Sequence, residues 1–192
     1  MSTTKTTNKV MLICIAGLLS AIGILIPMFA PKIIIEPASF TLASHVAIFI
    51  AMFISPEMAI SVALISSFGF FIAGFPLVVV LRALSHLIFA IIGAFILKRH
   101  NNILLSAKTM IPFALLIAVI HSLSEVTVAS LYYFGTGSSK STYFIFGLVG
   151  LGTIIHSMVD FTIAVLVWKP VQGVLTIPAN AKIRKTVRQE VL

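Results

Sequence analysis

Runs of about twenty consecutive apolar residues constrain this chain more than any other feature. VMLICIAGLLSAIGILIPMFA occupies residues 10–30 and PLVVVLRALSHLIFAIIGAFIL residues 76–97, and several shorter runs of similar character follow one another. A helix rises about 1.5 Å per residue, so a run of this length crosses the roughly 30 Å hydrocarbon core of a bilayer. Inside lipid every backbone N–H and C=O must be satisfied within the segment, which selects helices for runs of this composition. A buried soluble core requires no such lengths. Charged residues make up 9% of the chain against about 25% in a soluble domain. The mean hydropathy of +1.16 agrees. The chain therefore reads as an all-α integral membrane protein, one transmembrane domain over residues 1–192, with no stretch left for a soluble domain.

Six spans are expected, at about 10–30, 39–54, 57–73, 76–97, 109–134 and 147–168, with a basic tail over 169–192. Pro31, Ser55-Pro56 and Gly74-Phe75-Pro76 mark the turns. The second and third spans are short enough to be tilted or partly re-entrant. The opening MSTTKTTNKV resembles the start of a signal peptide, but the following run lacks a small-x-small cleavage site, so a retained first helix is expected. The lone Cys14 on that helix reads as a packing residue. With both termini cytoplasmic, ten of the thirteen Lys and Arg fall inside, leaving Lys32 and Lys140 outside and Arg82 within a span. This is the positive-inside pattern, and it predicts N-in, C-in. It also accounts for the net charge of +8 without a nucleic-acid partner. KIIIEPASF reads as a short extended external lid, and GTGSSKSTYFIFG as a mobile external loop.

Three spans carry ionisable pairs: RALSH (Arg82 to His86), HSLSE (His121 to Glu125) and HSMVD (His156 to Asp160). A spacing of four puts each pair on one helical face. A charge facing lipid costs at least ~2.5 kcal/mol, so these faces should turn into the bundle. Together with His45 they give seven ionisable groups on four helices, mostly in the outer half of the membrane, with Asp160 deepest. An outward-facing polar cavity explains that convergence better than helix-register pairing alone. Arg82 has two candidate partners, Glu125 and Asp160. Ser39 and Thr41, at the outer end of the second span, either line the cavity or cap the helix. The histidines and carboxylates have ligand chemistry for zinc, nickel or cobalt. No HxxxH or HExxH spacing occurs, however, and a buried arginine repels cations, so no metal is expected. There is no GxSxG and no GxxxxGK[ST] loop, which argues against an enzyme and against an internal ATPase.

The first span contains small-xxx-small pairs, Ala16 with Ser20 and Gly17 with Ala21, which permit close approach of another helix. With about 190 residues, six helices, both termini inside and no ATPase, the chain resembles the substrate-binding S component of an energy-coupling factor (ECF) vitamin transporter. The stretches EPASFTLASHVAIFIAMFISP, GFPLVVVLRALSHLIFAIIGAF and HSMVDFTIAVLVWKPV carry the resemblance, which is nearest to the niacin-type branch, with pantothenate next.

The resemblance implies an S-component bundle in the plasma membrane of a bacterium. Such a subunit binds its vitamin in an outward-facing pocket and topples on meeting a transmembrane coupling subunit and two ATP-binding subunits. It implies no cofactor in this chain, with ATP used by those partners, and docking through Ala16, Gly17, Ser20 and Ala21. A carboxylate vitamin needs a cationic anchor, and Arg82 is the expected one. His86 and His45 would donate further hydrogen bonds, with Glu125, His121, His156 and Asp160 completing the wall and Phe40, Tyr132 and Tyr133 sealing it. Two rivals are a proton-coupled secondary transporter of a small organic acid, with His121, Glu125, His156 and Asp160 as a relay, and a scaffold that binds no small molecule.

Overall fold

The computed structural model describes residues 2–35, 38–137, 142–174 and 177–183. Helix α1 (Ser2–Phe29) leads into a hairpin of β1 (Lys32–Ile35) and β2 (Ala38–Thr41). Helices α2 (Val46–Ile54), α3 (Pro56–Ile72) and α4 (Leu77–Arg99) follow. A 3-10 turn at Ile103–Leu105 precedes α5 (Ala107–Gly135), and the final span runs from α6 (Thr142–Phe144) through π-helical turns at Ile145–Leu151 into α7 (Gly152–Val174). Asn8–Phe29, α4, α5 and Ile145–Val174 are long and apolar enough to cross a membrane, and α3 is a shorter apolar helix.

The expected second span, 39–54, is corrected by the structure. Its first residues form β2, paired antiparallel with β1 so that Ile33 opposes Phe40 and Lys32 opposes Thr41. Ser39 and Thr41 therefore lie on a strand and not at a helix end. The helix begins only at Val46, and at about 1.5 Å per residue its nine residues cover less than half the hydrocarbon thickness. The extended lid read from KIIIEPASF is present as this hairpin. Ala38 packs with Val126, Ala129, Ile145 and Val149 beneath it. The Phe40 ring lies where a Cβ at Gly152 would be, so a side chain there would have to displace that ring from the start of α7.

All nine residues of α2 are buried, as expected for a helix apolar on every side. It forms the axis of the bundle, in contact with α1, α3, α4 and α7. Phe49 meets Phe89 and Phe161 at ring separations of 5.5 and 5.3 Å. Gly93 of α4 leaves the space that the Met52 side chain fills. Ser55 caps α3 by accepting from the Met58 N–H at 3.1 Å, with Pro56 in the first turn.

A buried half-helix leaves its last carbonyls without partners unless another segment supplies them. Here residues 177–183 do so. Asn180 N–H donates to the Ile54 carbonyl and Ala181 N–H to the Phe53 carbonyl, both at 2.9 Å. Gln172 of α7 ties the strap down, donating to the Ala181 carbonyl and accepting from the Ile183 N–H. The stretch expected as a basic tail from 169 onward thus continues α7 to Val174, and its residues 177–183 pack into the bundle. Lys140, Arg184, Lys185, Arg188 and the centre of the glycine- and serine-rich loop lie outside the described residues.

Candidate functional site

Between the hairpin and the start of α2 lies a cavity of about 360 Å³, within the range of small-molecule pockets. Its wall takes Arg82 and His86 from α4, Glu125 from α5, Thr153 and His156 from α7, and His45 from the turn before α2. Four-residue spacing places Arg82 and His86 one turn apart on a single face, as read from the sequence.

Glu125 organises this wall. Its Oε2 accepts from Arg82 Nη2 and from Thr153 Oγ1, both at 2.7 Å. Its Oε1 lies 3.1 Å from His86 Nε2 and 3.6 Å from His121 Nε2. The open choice of partner for Arg82 is thereby settled in favour of Glu125. A buried ion pair needs its remaining hydrogen-bonding capacity satisfied to offset desolvation. Glu125 meets that condition. Arg82 does not, because its Nε is buried with no hydrogen-bond partner among the described residues while the residue borders the cavity.

Asp160 has a different task. Its Oδ1 accepts from the Ala43 N–H at 2.8 Å, and its Oδ2 from the His45 N–H at 2.9 Å. His45 Nδ1 lies 3.0 Å from the same Oδ2, and His156 Nε2 lies 3.3 Å from it. A carboxylate on α7 therefore satisfies backbone donors at the positive end of α2, where a negative charge is favoured. It also holds Ala43 at φ +66°, a left-handed conformation that costs a residue with a Cβ roughly 1–2 kcal/mol. His45, expected well inside a helix, stands instead at the α2 N-cap position. Its ring is edge-on to those of His86, His121 and His156, with centroids 4.7, 4.7 and 4.9 Å away.

Of the residues expected at the site, Arg82, His86, His45, Glu125, His156, Ser39 and Thr41 line the cavity, together with Phe40 and Tyr133. His121 and Asp160 are fully buried behind that wall. Tyr132 is turned away, into a groove with Leu81 and Leu84 on the outside of α4 and α5. The sequence reading missed Thr153, Ser44, Lys32 and Phe75, all at the cavity. Thr153 is legible in retrospect, one turn before His156 on the same face. Lys32 sits at the hairpin side of the cavity, its Nζ 5.7 Å from the centre of the Phe75 ring. Among the described residues, two groups have ligand atoms within 4.8 Å of one another, a spacing compatible with a metal ion: His45, His86, His121 and Glu125, and separately His45, His156 and Asp160.

On α1 the two small-residue pairs face opposite ways. Ser20 is buried and turned into the bundle. Gly17 and Ala21 are on the exposed face, and nothing lies within 4 Å of where a Gly17 Cβ would be. Cys14, expected as a packing residue, is exposed on that helix.

Over 160 residues the chain is 39% identical to the niacin transporter NiaX of Lactococcus lactis subsp. cremoris (strain MG1363), in an alignment covering 81% of this chain and 72% of that protein. No family model and no solved structure matches the chain.

Proposed function

This chain belongs to the family of the niacin transporter NiaX, and we propose that it is the niacin-binding S component of an ECF-type uptake transporter in a bacterial plasma membrane. The observation that carries the reading is Arg82. Its Nη2 is held by Glu125, its Nε has no hydrogen-bond partner among the described residues, and the side chain borders the cavity, so this guanidinium is the cation in the wall that an anion would meet. Nicotinate is a planar monocarboxylate, and a guanidinium edge matches a carboxylate with two parallel hydrogen bonds. His86, His45 and His156 surround the pyridine ring, and Phe40 with Phe75 closes the cavity above it. Lys32 beside the cavity adds a second positive charge that draws the anion in.

The basic loops face the cytoplasm in this reading, so the hairpin and cavity face outward. ATP is hydrolysed by two partner subunits, and the exposed Gly17–Ala21 strip of α1 meets the transmembrane coupling subunit. Equilibrium binding of labelled nicotinate to the purified full-length protein tests the pocket. Arg82→Lys keeps the charge but loses the fork, and Arg82→Ala loses both. We expect affinity to fall at least tenfold in the first and further in the second, with nicotinamide binding more weakly than nicotinate to the unaltered protein. Unchanged affinity in Arg82→Ala overturns the assignment of Arg82, and preferential binding of pantothenate replaces niacin as the vitamin. Nicotinate uptake into vesicles by this chain alone, driven by a pH gradient, replaces the S-component reading with a proton-coupled one.

A further inference from the structure

The histidines around Glu125 are more numerous than a monocarboxylate needs, and one of them does not reach the cavity. His121 is fully buried, its Nδ1 lies 3.3 Å from Ser157 Oγ, and its Nε2 has no hydrogen-bond partner among the described residues. A buried ring nitrogen left unmatched beside a carboxylate oxygen is costly in a protein interior. We propose that Glu125 with His86, His121 and His45 binds one divalent transition-metal cation of the zinc class, which in turn takes a donor atom of the vitamin.

The distances fit that ion. A tetrahedral site with metal–ligand bonds near 2.0–2.1 Å has ligand atoms about 3.3 Å apart. His86 Nε2 and His121 Nε2 flank Glu125 Oε1 at 3.1 and 3.6 Å, on either side of that value. His45 completes the group, all of whose ligand atoms lie within 4.8 Å of one another. Its Nδ1 is engaged by the Asp160 carboxylate at 3.0 Å, which leaves Nε2 as the lone-pair nitrogen. A carboxylate behind a histidine is the usual device for orienting a metal-binding imidazole and raising its basicity. No single helix supplies an HxxxH pair; the four ligands come from α4, α5 and the turn before α2, an arrangement that only the fold brings together.

The arginine that argues against a cation on sequence grounds is neutralised here. Arg82 bonds the opposite oxygen of Glu125, Oε2, away from the histidines. With neutral imidazoles, the buried charges among the described residues are two carboxylates and one guanidinium, one negative charge in excess. A divalent cation and one monocarboxylate bring the cluster to neutrality. The monocarboxylate alone leaves two negative charges unbalanced where uncompensated charge is expensive.

The metal site stands without the vitamin; its link to the vitamin rests on the niacin reading. The test uses full-length protein in detergent, purified through a tag without histidines, stripped with a chelator and titrated with Co²⁺ in the absence of nicotinate. We expect saturation at one equivalent with the visible bands of nitrogen- and oxygen-ligated cobalt, competition by Zn²⁺, and a higher unfolding temperature of the unaltered protein with Zn²⁺. His121→Asn and Glu125→Gln should each weaken cobalt binding at least tenfold, with their unfolding in the metal-free state showing that they remain folded. Absence of these bands with stoichiometric cobalt, or their persistence in both variants, overturns the metal site. Nicotinate affinity is then compared in stripped and Zn²⁺-loaded protein, and a gain of at least tenfold is expected. Equal affinity overturns the link and leaves the niacin reading standing; a metal site in a protein that binds no nicotinate does the reverse.

Discussion

At the scale of single residues, the two buried carboxylates divide their labour. Glu125 holds Arg82, His86 and Thr153 at the cavity wall, whereas Asp160 secures the first turn of α2 from behind. Asp160→Asn keeps the shape but removes the charge from two backbone donors and a histidine. Hydrogen bonds to a charged group contribute about 1.5–3 kcal/mol, so the substitution should destabilise the protein by about 2 kcal/mol. A thermal unfolding midpoint in detergent unchanged from the parent would remove Asp160 from the cap. The pairs at spacing four were legible because helical periodicity fixes which residues share a face. Which carboxylate meets Arg82 was not, since it depends on the rotation of α5 and α7 about their own axes. Ser20 illustrates the same limit: its spacing is right for an external contact, but its face turns inward.

At the scale of elements, two short segments carry the pocket. The hairpin roofs it, and its seat is Gly152. Gly152→Val should push Phe40 off α7 and weaken nicotinate binding at least tenfold, while costing the bundle little because the site lies at its edge. Binding at parental affinity in that variant would show that the roof is not seated there. The strap at 177–183 supports the other end of α2. Ala181→Pro deletes the N–H that reaches the Phe53 carbonyl, leaving a buried acceptor unmet at about 1–3 kcal/mol. A lower unfolding temperature is the expected result, and no change would show that the strap is not a support. The lid was readable from KIIIEPASF. The shortness of α2 was not, because ASFTLASH is apolar enough to pass for the first turns of a helix. The carboxylate of Asp160, well over a hundred residues away, accepts from two backbone donors at the break there.

At the scale of the whole molecule, α2 runs from the cavity at His45 to the strap at Ile54, through an interior closed on all sides. Charge bias predicts that the cavity end faces outward. In a Cys14→Ser background, Lys32→Cys should react with a membrane-impermeant thiol reagent applied to intact cells, and Lys98→Cys only after permeabilisation. The opposite labelling pattern would invert the topology and place the pocket on the inner side.

By itself the sequence determined the membrane class, the six helical segments, the in-facing polar stripes and the one arginine among them. Hydropathy, helical period and charge bias are local quantities that any window of chain expresses. The tertiary structure alone decided that the second segment is a half-helix under a hairpin, that Glu125 rather than Asp160 holds Arg82, that the tail returns to cap α2, and that three histidines from separate segments converge on one carboxylate oxygen's surroundings. These depend on helix rotation and on contacts between residues distant in the chain. The burial of polar groups makes each such contact a condition of folding, but no local pattern records which partner meets it.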